Sequence, residues 1–209
     1  MIRRLTFASC YVYSPLGAGV ACERSRLLRS LLKARDARFM LRYAGRVREL
    51  VAEHAALAGY FCADAVLVPV PGSSARVRGA VSVPEYLAQA LVAEGLGQCI
   101  WSGLRRLRGV PKSAMCCGGA RPAVGVHYES FGIESATELS GDVVLIDDVV
   151  TKGRTLLAAA TRLQERFPQT RIRAFALLRT MGMVDGVDRL LDPCVGEIRW
   201  RAGDAHREP

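Results

Sequence analysis

Two short apolar runs set the narrowest limits on this chain. Residues 65–70 read Ala-Val-Leu-Val-Pro-Val, and residues 143–146 read Val-Val-Leu-Ile. Neither run alternates with polar residues, so neither suits a sheet with one wet face. Each reads as a strand covered on both faces, as in a parallel sheet between helical layers. Helical spacing surrounds them. Leu27, Leu28, Leu31 and Leu32 recur within residues 23–33, and Phe39, Met40, Tyr43, Val47, Leu50 and Val51 within residues 36–57. Leu87, Ala90 and Leu91 share a face within residues 83–94, and residues 156–167 are helical as well. Residues 11–13, 98–102, 171–178 and 196–201 complete the predicted strands. Strands alternating with helices from residue 65 onward indicate an α/β fold. No repeat or linker divides the chain.

The 209 residues suit one core. Lys and Arg total 29 against 20 acidic residues, a net charge of +9. That surface favours anionic partners such as phosphorylated small molecules or nucleic acid, and an Arg-rich helix surface without a partner accounts for it equally. The seven cysteines form no C-x-x-C, so no disulfide framework or zinc knuckle is expected, and the compartment is read as a reducing cytoplasm. The vicinal Cys116-Cys117 pair is the one redox candidate. The stretch after Arg3-Arg4 is too polar for a signal sequence, and no run reaches the ~20 apolar residues that cross a bilayer.

Chemistry concentrates at residues 143–155, Val-Val-Leu-Ile-Asp-Asp-Val-Val-Thr-Lys-Gly-Arg-Thr. A buried strand ends in two acids, Asp147 and Asp148, and a turn with Thr151 and Gly153 leads into a helix. Ligands of parallel sheets bind at the carboxyl ends of strands. A helix start offers unpaired N–H groups and partial positive charge to a phosphate. Two carboxylates beside that cradle would repel a phosphate unless hydroxyls lay between, so the segment suits a phosphorylated sugar. The plain alternative is a strand-turn-helix in which Asp148 or Thr151 caps the helix.

The segment resembles the phosphoribosyl pyrophosphate (PRPP) motif of type I phosphoribosyltransferases, with Lys152 in place of the usual second Thr. Residues 66–94, with Val68-Pro69-Val70-Pro71, Arg76, Arg78-Gly79 and Glu85, are similar to the corresponding part of the ComF-type members of that family. The cysteine pairs common at the ComF N-terminus are absent here. The resemblance implies a twisted, mainly parallel sheet flanked by helices. Residues 61–182 would form the core, and residues 1–60 and 183–209 a small hood.

It also implies roles. Asp147 and Asp148 would hold the ribose hydroxyls and offset positive charge developing on the sugar. Val149, Val150, Thr151, Lys152, Gly153, Arg154 and Thr155 would hold the 5′-phosphate. Pro71, Gly72, Ser73, Arg76 and Arg78 would hold pyrophosphate, with Mg²⁺ bound through PRPP oxygens and water rather than directly by protein. Residues 103–131, which show no sustained period, would be a mobile loop. Lys112 and Arg121 in it would neutralise the leaving group, with Arg105, Arg106 and Arg108 as competitors. His127 is the one nearby proton donor, unless it is structural. The implied activity is transfer of 5-phosphoribose to a nucleobase or amine acceptor with release of pyrophosphate, in an enzyme that is often a homodimer. A non-enzymatic PRPP sensor or DNA-associated protein is the alternative.

Overall fold

A computed structural model describes residues 1–74, 81–111, 122–134, 138–182 and 184–209. Arg76, Arg78, Lys112, Arg121 and the Cys116-Cys117 pair lie outside the described residues. In chain order the elements are β1 (Arg4–Tyr13), α1 (Val20–Ala34), α2 (Ala37–Glu53), β2 (Val66–Pro69), α3 (Val83–Ala93), β3 (Cys99–Ile100) and β4 (Leu104–Arg106). There follow α4 (Val124–Ser130), β5 (Phe131–Ile133), β6 (Asp142–Val150), α5 (Arg154–Arg166), β7 (Arg171–Thr180), β8 (Leu191–Arg201) and β9 (Asp204–Glu208).

Seven strands form one sheet in the order β3-β2-β6-β7-β1-β8-β9, and β4 and β5 form a separate antiparallel ribbon. The pairings from β3 through β1 are parallel, while β8 and β9 are antiparallel additions. The fold is therefore α/β with a mostly parallel mixed sheet. Each face carries a core, as the apolar runs require. On one face Leu67, Val144, Ile146 and Phe175 pack against Leu32 of α1, Met40, Val47 and Leu50 of α2, and Leu87 and Leu91 of α3. On the other, Val68, Val143, Leu145 and Ala174 meet Leu156, Ala159 and Leu163 of α5. Small side chains at Ala158, Ala159 and Ala160, all fully buried, let α5 lie close to the sheet.

The structure departs from the sequence reading in four places. β1 extends from Arg4 rather than Tyr11, because β7 on one side and β8 on the other give it ladder partners along its length. β8 begins at Leu191 rather than Gly196, and a further strand, β9, pairs with it antiparallel. β6 continues beyond Ile146 to Val150, so the acids lie within the strand and not in a loop. The irregular segment 103–131 contains β4 and α4.

Phe175 is fully buried at the centre of β7, with Phe61 edge-on at 5.0 Å. Its replacement by Ala is expected to cost about 3–5 kcal/mol in chemical denaturation. A cost under about 1 kcal/mol would mean this is not the packed centre.

Candidate functional site

The site opens where the β2–β6 ladder ends. β2 pairs with β6 as far as Pro69 opposite Ile146, and Val70 N–H donates the last bond, to Ile146 C=O at 2.9 Å. Beyond it the chain turns off into the loop 71–74. β6 runs on beside β7, with Asp147 opposite Ala176 and Val150 opposite Arg179, and among the described residues no strand pairs with its other flank there. The connections diverge at the same place. The chain leaves β2 through α3 toward β3, and leaves β6 through α5 toward β7 on the opposite side. Such a switch point is where open α/β sheets hold ligands.

A cavity of about 420 Å³ opens there. Asp147 and Asp148 form one wall, and Pro71, Gly72, Ser73 and Ser74 form another. Ser82 and Glu85 at the start of α3, and Leu104 to Arg106 on β4, complete most of it. Ser82 caps α3 by accepting from Glu85 N–H at 3.3 Å, the arrangement that the S-x-x-E spacing encodes. Arg35 reaches the cavity from the α1–α2 corner, in a left-handed conformation with φ +59°.

The acids are half-buried, and side-chain alternation breaks across them. Val144 and Ile146 face one core and Val143 and Leu145 the other, yet Val149 joins the first core and Val150 the second. Both carboxylates thereby border the same cavity. Asp148 N–H donates to Asp147 Oδ1 at 2.9 Å. Burial raises the Asp147 carboxyl well above the ordinary range, and the charge and side-chain hydrogen bond of Asp148 raise it further, with the Asp148 N–H and Arg106 opposing.

Arg106 is the buried counter-charge. Its Nε donates to Gly72 C=O at 2.8 Å and its Nη2 to Pro71 C=O at 3.1 Å. Nη1 donates to Ser130 Oγ, and the guanidinium lies 4.0 Å from the centre of the Phe131 ring. Burial pushes it down to about 10, with Asp147 opposing, so it stays charged at neutral pH. His127 Nδ1 lies 3.4 Å from Arg106 Nη1. A guanidinium can only donate, so Nδ1 accepts and Nε2 carries the ring proton. Burial, Arg106 and Arg154 push His127 down to about 4, leaving a neutral, buried imidazole rather than an acid at pH 7. Arg105 pairs with Glu134 at 3.4 Å and Arg108 with Glu129 at 2.7 Å, so both cations are engaged on the ribbon.

Residues 149–155 border the acids in the chain but lie outside the cavity's lining. Val150 is buried, and Thr151 Oγ1 sits 3.2 Å from Thr180 Oγ1. Gly153 precedes α5 at φ +83°, and no side chain caps the helix. A Cβ on Gly153 would lie 2.5 Å from Ile198 Cδ1, so both its conformation and its close approach to β8 demand glycine. Arg154 grips Asp204 with two bonds of 2.6 Å and donates to Pro122 C=O at 3.3 Å. Lys152 Nζ is 3.5 Å from Asp204. The cations expected to meet a phosphate are thus turned onto the β8–β9 hairpin, and the first backbone amides of α5 are what the loop offers. Thr155 is half-buried in that first turn.

Among the described residues, Cys62, Asp64 and Asp142 also bring metal-capable atoms together, at the opposite end of β6. Arg171 and Arg173 already hold Asp142 at 2.6 and 2.9 Å, which makes that cluster an ion-pair group.

No protein-family model matches this chain, and no curated protein is significantly similar to it. The tie of Arg106 to the loop after β2, the clamp by Asp204 and the approach of Arg35 were not read from sequence, because each joins segments far apart in the chain. The only local signal among the missed features was the Ser82–Glu85 capping box.

Two measurements test these electrostatics. Asp147 has a raised folded-state pKa, so its contribution to stability is full below the unfolded value and is lost as pH rises through the folded one. Asp147→Asn should therefore raise the melting temperature by a few degrees at pH 7 and change it little at pH 3. Asp204 has the opposite sign. Its bonds from Arg154 and Ala205 N–H bring it down to about 2, so its contribution is full above the unfolded value and fades as pH falls through about 2. Asp204→Asn should cost about 1–2 kcal/mol at pH 7, and less at pH 2.5, in urea denaturation.

Proposed function

We propose that this chain is a type I phosphoribosyltransferase that binds PRPP and transfers its 5-phosphoribosyl group to a nitrogenous acceptor. The observation that carries the reading is the acid pair Asp147-Asp148 facing the backbone loop 71–74 across the switch-point cavity. Two neighbouring carboxylates in a partly dry site are costly without partners that donate to them or carry positive charge. Pentose hydroxyls are such donors, and a cation developing on the sugar ring is such a charge.

In the reaction, the bond from the anomeric carbon to the pyrophosphate oxygen breaks and that oxygen leaves with the electron pair. A bond from the acceptor nitrogen to the same carbon forms, and the nitrogen loses a proton. As the carbon–oxygen bond weakens, positive charge spreads over the ring, and a fixed carboxylate beside it lowers the barrier. Asp147 and Asp148 accept from the ribose hydroxyls and supply that charge. The loop 71–74 receives the departing pyrophosphate, and the uncapped start of α5 receives the 5′-phosphate. Mg²⁺ would suit the donor set, since a hard cation held by pyrophosphate oxygens and water would have Asp147 and Asp148 as acceptors for its bound water. It would neutralise the leaving group.

A second reading, a PRPP-binding protein without turnover, is favoured by one observation. His127, the nearest imidazole to the acids' counter-charge Arg106, is buried and pushed down to about 4, so it is poorly suited to take up the proton that the acceptor nitrogen loses. Calorimetry with Mg²⁺-PRPP tests both readings. The wild type should bind, and Asp147→Asn with Asp148→Asn should weaken binding by at least about a hundredfold while the protein stays folded. Absence of binding by the wild type would end both. Pyrophosphate release with any base or amine in a screen would select the enzyme, and tight binding with no release across the screen would select the sensor.

A further inference from the structure

The loop after β2 owes its shape to the ribbon beside it. Three successive carbonyls, those of Pro71, Gly72 and Ser73, each accept from one unit of the chain. Arg106 donates to the first two, at 3.1 and 2.8 Å, and Val110 N–H donates to the third at 2.8 Å. No cis peptide occurs among the described residues, and in a trans peptide the N–H points opposite to the C=O of the same unit. Drawing three carbonyls back onto the ribbon therefore turns the N–H groups of Gly72, Ser73 and Ser74 the other way. Those three residues line the cavity. Successive amides facing one concavity make an anion nest. Here a buried guanidinium stands behind the nest. Ser130 at the end of α4 and the Phe131 ring of β5 fix its position.

We propose that Arg106 is a positioning residue that holds residues 71–74 as a three-amide nest for a pyrophosphate group, and that it ties this nest to the β4–α4–β5 unit. The inference rests on the PRPP reading for the identity of the anion. Four of the five N–H donors of Arg106 are given to the carbonyls of Pro71 and Gly72, to Ser130 and to His127, so its part is chiefly to position the loop. Its charge acts from beneath, and its hydrogen bonds set the direction of the amides.

The test uses inorganic pyrophosphate and ribose 5-phosphate as separate probes of the full chain. In ¹⁵N NMR titration of the wild type with pyrophosphate, the amides of Gly72, Ser73 and Ser74 should show the largest shifts. Arg106→Lys keeps the charge but cannot reach both carbonyls, and Arg106→Gln loses the charge. By calorimetry both should bind pyrophosphate at least about tenfold more weakly, with ribose 5-phosphate affinity held within about twofold. A purely structural role would weaken the two probes together. Unchanged pyrophosphate affinity in both variants would overturn the proposal, as would equal loss of both probes. Should the variants fail to fold, the wild-type titration decides: shifts centred away from residues 72–74 would overturn it. A wild type that binds ribose 5-phosphate but not pyrophosphate rejects the nest and keeps the acid-pair site. One that binds neither removes the PRPP reading itself.

Discussion

One hydrogen bond marks the edge of everything this fold can do: Val70 N–H to Ile146 C=O, the last rung between β2 and β6. Below it, the two strands share a ladder and a double-sided core. Above it, β2 gives way to the loop 71–74, while β6 continues beside β7. The result is a crevice whose floor is rigid and whose walls are backbone on one side and carboxylate on the other. Helices leave the two strands in opposite directions, so neither covers the opening. Sheet geometry thus creates the cavity, and side chains only furnish it.

The furnishing is a balance of buried charge. Asp148 raises the energy of an ionised Asp147, and the Coulomb field of Arg106 offsets part of that. Such strain is tolerated because the sheet beneath is well packed. It also favours a bound state over an empty one, since any ligand bringing hydroxyl donors or positive charge relieves it. A neutral His127 beside Arg106 fits the same logic, because a second cation there would meet the first.

Much of the frame was legible in the sequence, and for a physical reason. Strands buried on both faces must be apolar throughout, so residues 65–70 and 143–146 announced themselves, while the continuation of β6 through the acids to Val150 did not. α5 was equally plain from its period. β1 was legible only at residues 11–13, because its partners are strands more than 150 residues further on. β4, β5 and α4 are too short to show a period. They are held by Arg106, Phe131 and Ser130, contacts between residues up to 35 positions apart. The pairing of Lys152 and Arg154 with Asp204, some 50 residues away, has no local signal in the sequence.

The β8–β9 hairpin holds the turn before α5 from three points. Ile198 occupies the space beside Gly153, Asp204 takes Arg154 and Lys152, and Arg207 donates to the carbonyl of Thr180, whose hydroxyl meets Thr151. The order of synthesis gives this a temporal meaning. While the chain is still emerging from the ribosome, β2, β6 and α5 are complete, yet the turn between β6 and α5 lacks its brace and β1 lacks one neighbour. Until residues 191–208 are made, the turn beside the candidate site stays unbraced, so this end of the cavity matures later than the strands that frame it.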